Sequence, residues 1–136
     1  MSNIGSSFKI RSENESNQYW TSDNNNHIAL INKDENDPNQ LWKLISTNTL
    51  DVYFIAKYAP GLGRKETCVT WVPSKKSFQL KPQDWADIKQ HFRLEQKPNR
   101  NTTYIHSEHD KSVYVMHSNN LVGPGNGNTG WVFMAI

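Results

Sequence analysis

The residues of this chain whose types could do chemistry are few and poorly spaced for it. His106-Ser107-Glu108-His109 holds two histidines three apart, and a hairpin could bring His117 near them. On a strand an i, i+3 pair points to opposite faces, so the trio is a weak ligand set and no metal is expected. Cys68 stands alone among apolar neighbours in Thr67 to Val72, where a small buried thiol is commoner than a nucleophile. The acidic run Asp34-Glu35-Asn36-Asp37 lacks the apolar setting that raises a carboxyl pKa for acid catalysis, and reads as a solvated loop. Gly123-Pro124-Gly125-Asn126-Gly127 has no Gly-Lys-Ser/Thr ending and opens no helix, so it reads as a flexible turn rather than a phosphate loop. The expectation is a protein that is not an enzyme and carries no cofactor.

What the chain does carry is a repeated pattern of aromatic and apolar residues. Trp42-Lys43-Leu44, Phe92-Arg93-Leu94 and Trp131-Val132-Phe133 each read aromatic, variable, large apolar, as a strand does when alternate residues face one core. A second column lies upstream in Phe8-Lys9-Ile10, Tyr53-Phe54-Ile55 and Thr103-Tyr104-Ile105. The length differences fall between the two columns, where loops absorb them. Three copies make too short an array for a solenoid. Their strand content suits closure about a threefold axis, which predicts an all-β chain folded as a β-trefoil of three four-stranded repeats, about 6–48, 49–98 and 99–136.

Composition agrees with one loop-rich domain. At 136 residues the chain can bury a core. The 16 Asn and 12 Ser suit many turns, where short polar side chains bond nearby backbone. A net charge of +2 with no block of like charges argues against a nucleic-acid partner. A single cysteine forms no intrachain disulfide, and neither a signal peptide nor a membrane-spanning run is visible. A cytoplasmic protein without membrane insertion is expected.

Twelve short strands are predicted, with Phe8, Ile10, Ile28, Leu30, Trp42 and Leu44 on the core face of the first repeat. Trp42, Phe92 and Trp131 should meet at the axis, and the first and last strands, from Phe8 to Ile136, should be neighbours. Pro82 to Asp87 reads as an insertion specific to the second repeat, able to make one helical turn and carrying an aromatic, Trp85, with no counterpart elsewhere.

Asn39-Gln40-Leu41-Trp42 resembles the Gln-x-Trp signature of the ricin-B-type β-trefoil lectins, with degenerate copies before Phe92 and Trp131. The resemblance covers nearly the whole chain. Length and the lack of disulfides look most like the small lectin-like trefoils of fungi and of bacterial hemagglutinin complexes, similar to the mushroom tyrosinase light subunit and mannose-binding relatives. It implies a carbohydrate-binding module with one shallow site per repeat. Such a site takes an aspartate near the second strand, an aromatic platform after the third, and an asparagine three residues before the Trp.

The galactose site of that family is not intact in any repeat. Asn39 and Asn128 hold the asparagine position, Lys89 replaces it in repeat two, and Leu30 or Ile31 stands where the platform of repeat one belongs. A relocated site would draw on Trp20, Asp23, His27, Asn39 and Gln40 in repeat one, and on His106, Tyr114, Asn126 and Asn128 in repeat three. Repeat one is favoured because the intact motif, a nearby acid and an unassigned aromatic coincide there. The partners implied are glycans of mannose or galactose type, with a homo-oligomer left open. The alternative is a trefoil without sugar binding that meets a protein partner, as an accessory subunit or protease inhibitor.

Overall fold

The computed structural model describes residues 7–59, 66–98, 101–127 and 129–135. The period-two pattern becomes twelve strands: β1 (Phe8–Ser12), β2 (Tyr19–Ser22), β3 (Ile28–Ile31), β4 (Trp42–Ser46), β5 (Val52–Lys57), β6 (Thr67–Val72), β7 (Ser77–Pro82), β8 (Phe92–Gln96), β9 (Thr103–Ser107), β10 (Tyr114–Ser118), β11 (Leu121–Gly125) and β12 (Trp131–Ala135). Three 3-10 turns, Pro38–Gln40, Pro73–Lys75 and Ile88–Gln90, interrupt them. Among the described residues no helix is long and apolar enough to cross a membrane.

All the ladders are antiparallel, and six strands close a ring. Ladders of five residue pairs join β12 to β1, β4 to β5 and β8 to β9. Short bridges complete the circle, at Phe8 with Trp42, Tyr53 with Phe92 and Thr103 with Trp131. The other six strands form the hairpins β2–β3, β6–β7 and β10–β11. One residue pair ties each hairpin to the ring: Arg11 with Tyr19, Ala56 with Cys68, and His106 with Tyr114. A pair between Leu121 and Ala29 links the first and last hairpins, so a longer circuit of nine strands also closes.

Backbone bonds outside the ladders recur as well. Glu13 N donates to Gly130 O at 3.2 Å, Tyr58 N to Leu41 O at 3.0 Å and Glu108 N to His91 O at 2.9 Å. The expected ends of the chain do meet, with Phe8 opposite Ala135. Ile136 itself, like Gly61 to Lys65, lies outside the described residues.

The six residues assigned to the core face of the first repeat are all buried. Trp42, Phe92 and Trp131 are fully buried in one cluster. Trp20 stands between two of them, edge to face with Trp42 at 5.7 Å and with Trp131 at 5.2 Å. An indole N–H inside a core needs an acceptor. Trp42 Nε1 donates to Trp20 O at 3.0 Å, and Trp131 Nε1 to Val115 O at 2.8 Å. Trp20 is fully buried, its own indole N–H without a partner among the described residues, and is a core residue, which corrects its assignment to a binding site.

Three other expectations change. Residues 82–87 are not an insertion, because their hydrogen bonds reproduce those of the loop before β4, and Trp85 stands where that loop has Glu35. Gly123 to Gly125 belong to β11 rather than to a flexible turn. There a Cβ on Gly125 would lie 2.5 Å from Met116 Cγ, so a larger residue would force the Met116 side chain aside. The alternation of Val113 and Val115 suits a strand from Ser112, yet β10 starts at Tyr114, because Asp110 accepts from both the N–H and the hydroxyl of Ser112 and holds a turn.

Truncating Trp131 to Ala should lower unfolding stability by about 3 to 5 kcal/mol, as for other fully buried large aromatics. Denaturant melts followed by circular dichroism measure it, and a loss under about 1 kcal/mol would place the indole outside the core.

Candidate functional site

The loops before β4 and β8 are built alike. In the first, Asp34 Oδ1 accepts from Asn36 N at 3.0 Å and Asp37 Oδ1 from Asn39 N at 2.9 Å. In the second, Asp84 Oδ1 accepts from Ala86 N at 3.1 Å and Asp87 Oδ1 from Lys89 N at 3.0 Å. Asp34 and Asp37 thus serve turns, while Glu35 pairs with Lys33 at the surface.

Each loop ends on a buried glutamine whose amide binds it from inside. Gln40 Nε2 donates to Thr21 Oγ1 at 3.2 Å and to Asn32 O at 2.8 Å, while its Oε1 accepts from Asp34 N at 2.9 Å. Gln90 repeats the set with Thr70 Oγ1, Pro82 O and Asp84 N. Lys9 adds a fourth contact to the first amide at 3.4 Å, and its ammonium also donates to Asp34 O. In the last third Thr129 holds the glutamine position and reaches Met116 Sδ at 3.9 Å. Gln40 is fully buried with both amide donors and its oxygen engaged, so the expectation that it contacts a ligand gives way to a structural role.

Asp23, His27 and Asn39 do come together at the surface. Asp23 follows β2 and its Oδ1 accepts from Asn25 N at 2.8 Å and from His27 N at 2.9 Å, closing the β2–β3 turn. Asn26 in that turn has φ +62°, a left-handed backbone that asparagine tolerates. Asn39 is tied to the same edge through Ser22, whose hydroxyl donates to Asn39 Oδ1 at 3.2 Å. The second oxygen of Asp23 and the amide nitrogen of Asn39 take no partner among the described residues. An acceptor on Asp23 and a donor on Asn39 are left unused near the turn, whose last residue, His27, is half-exposed. Ile31, at the platform position, is 47% exposed and aliphatic.

The other candidates are scattered. Asn126 is exposed, and Asn128 lies outside the described residues. His106 packs edge to face on Tyr114 at 5.3 Å, with Nδ1 3.1 Å from Ser107 O, and His117 Nε2 lies 2.6 Å from Asn119 O. In the second third, Lys81 and Lys89 line a cavity of about 400 Å³ with Thr70, Trp71, Pro73 and Asp87, whose carboxylate already accepts from Lys89 N. Lysines donate but do not accept. That cavity was invisible in the sequence, where Lys89 reads only as a lost asparagine. Trp85 covers Phe54 edge to face at 5.0 Å yet remains 63% exposed.

Cys68 is buried with Ile45, Phe54 and Ala56 in a second small cluster, as expected for an inert thiol. Burial, with repulsion from Glu66, pushes its thiol up to about 12 against the opposing pull of Lys43. Lys43 and Glu66 themselves form an ion pair beside it.

No family model and no curated protein sequence matches this chain. Solved structures do. The BEL β-trefoil superposes with a TM-score of 0.78 at 17% identity, covering 100% of this chain and 97% of that one. SeviL, solved bound to asialo-GM1 saccharide, gives 0.73 at 12% identity over 96% and 97%. A GlcNAcα1-4Gal releasing endo-β-galactosidase from Clostridium perfringens gives 0.80 at 8% identity, and there the chain spans about a third of the enzyme's length, 96% of this chain against 32% of that. At these identities the likeness is one of fold: an all-β chain with the architecture of a solved β-trefoil.

Gln40→Ala should destabilise by about 1 to 3 kcal/mol, because Thr21, Asn32 and Asp34 lose their partner inside the fold; thermal melts would show it without any ligand. The thiol gives a pH dependence. In the unfolded chain Cys68 ionises from about pH 9, whereas in the fold it stays protonated until about 12, so the unfolded state binds fewer protons between these values. Stability conferred by the protonated thiol is complete below pH 9 and declines from there to about 12. Cys68→Ala should melt with a shallower decline than the parent across that window.

Proposed function

We propose that the chain is a β-trefoil carbohydrate-binding module of three four-stranded repeats, about 6–48, 49–98 and 99–136. It binds glycans of mannose or galactose type at a shallow site on the first repeat, without catalysis, metal or cofactor. The observation that carries this reading is the link from Asn39 to Ser22, the residue before Asp23, which leaves one acceptor on Asp23 and one donor on Asn39 unused at the β2–β3 turn that His27 closes. Adjacent sugar hydroxyls donate and accept, and that pair matches them. Ile31 supplies an aliphatic rather than aromatic surface for the sugar's C–H face. A saccharide-bound protein of the same fold and nearly the same length supports the reading. Asn126 and Asn128 would form a second site in the third repeat.

A second reading rests on Trp85 and Ile88, which are 63% and 47% exposed on one loop. Such a patch suits a protein partner, as in an accessory subunit or inhibitor.

A glycan array separates the two. Titrating mannose and galactose by calorimetry should then show Asn39→Ala weakening binding by about 1 to 3 kcal/mol. Because Asp23 also closes a turn, Asp23→Asn is the better variant: it keeps the acceptor for Asn25 and His27 and removes the charge. Lys89→Ala should bind as the parent does. Equal binding by all three variants would sink the repeat-one site, and a blank array would favour the protein partner.

A further inference from the structure

The ring of six strands opens at one end into a cavity of about 350 Å³. Every ring strand contributes to it: Phe8 from β1, Leu44 from β4, Tyr53 from β5, Leu94 and Gln96 from β8, Thr103 from β9 and Phe133 from β12. The floor is apolar. Phe8 and Phe133 meet edge to face at 5.9 Å, while Leu94 and Phe133 are only partly buried against the core. This volume lies in the range of small-molecule sites, which combine an apolar lining with a few polar groups that fix orientation.

Those polar groups stand at the rim as Asp51, Gln96 and Asn101, beside Thr103 and the hydroxyl of Tyr53. Elsewhere the aspartates are committed, since Asp23, Asp34, Asp37, Asp84, Asp87 and Asp110 each accept from a backbone N–H in a turn. The side chains of the five rim residues have no hydrogen-bond or ionic partner among the described residues. A carboxylate accepts only, whereas amides and hydroxyls both donate and accept. Hydroxyl groups satisfy both kinds, an ammonium would use only the acceptors, and an anion would meet Asp51.

We infer that this barrel mouth binds a small amphiphile, a glycoside whose short alkyl or aryl aglycone enters the apolar floor while its hydroxyls bond the rim. The site shares no residue with Asp23, His27 and Asn39 and stands independently of the repeat-one reading.

The test is a titration of the full chain with hexyl β-D-glucopyranoside below its micelle concentration, followed by methyl resonances in ¹H–¹³C spectra. Saturable shifts are expected at Leu44 and Leu94. Methyl β-D-glucopyranoside, which keeps the head and lacks the tail, should bind at least tenfold more weakly, since each buried methylene adds to affinity. Hexylammonium, with the tail and no hydroxylated head, should also bind at least tenfold more weakly. Leu94→Glu, which sets a carboxylate in the floor, should abolish binding. Asp51→Asn should weaken it three- to tenfold; Asp51 has φ +65°, which asparagine also adopts, so this variant keeps the fold if Leu94→Glu does not. Equal binding of the methyl and hexyl glycosides, equal binding of hexylammonium, parent-like binding by Asp51→Asn, or no shift at the two leucines would each overturn the inference. A blank glycan array bears only on the repeat-one site, and methyl shifts at Leu44 and Leu94 bear only on this one.

Discussion

A loop that connects two strands of a barrel must cross the surface with backbone groups that no ladder can satisfy, and here a buried amide does that work from within. Gln40 holds its loop through Asp34 N and Asn32 O and fastens it to Thr21 on β2, and Gln90 repeats the arrangement with Asp84, Pro82 and Thr70. The residue two places on is Trp42 or Phe92, both fully buried. Each glutamine closes a 3-10 turn and one extended residue, Leu41 or His91, separates it from the strand, so one short motif fixes the loop and delivers the aromatic to the core together. The spacing of the signature is thus a packing requirement. An unmade hydrogen bond inside the core would cost more than the bond itself contributes.

That constraint explains how much could be read from the residues alone. The ring strands were legible because alternation repeats at Trp42, Phe92 and Trp131 and at their upstream partners, where one face is buried and the register cannot slip. The equivalence of the loops 34–40 and 84–90 is carried by Asp34, Asp37 and Gln40 against Asp84, Asp87 and Gln90, a spacing that is obscured where the exposed positions between them diverge from Glu35 to Trp85. Gly125 misled for a related reason. Its role depends on how near Met116 comes, and proximity across a hairpin leaves no mark on local composition.

The candidate site was legible only in part. Asp23, His27 and Asn39 are brought to one edge, yet Trp20 and Gln40, which read as polar or aromatic ingredients, are interior. A residue type that can serve either a ligand or the fold gives the same letter in both cases, and only burial separates them. Lys9 shows the converse: a cation that the pattern would send to solvent is 6% exposed and donates to Gln40 and a loop carbonyl, its stem lying along the barrel.

The ladder of β1 with β12 has a consequence for biosynthesis. Phe8 faces Ala135 across nearly the whole length of the chain, so the ring cannot close until the last strand has been made. Until then β1 presents a free edge carrying Phe8 and Ile10, the kind of strand that pairs with the wrong neighbour. The hairpins can form locally as they leave the ribosome, but the contacts that unite them are remote, which slows folding and prolongs exposure. Closure of the ring is therefore a late event that waits on β12.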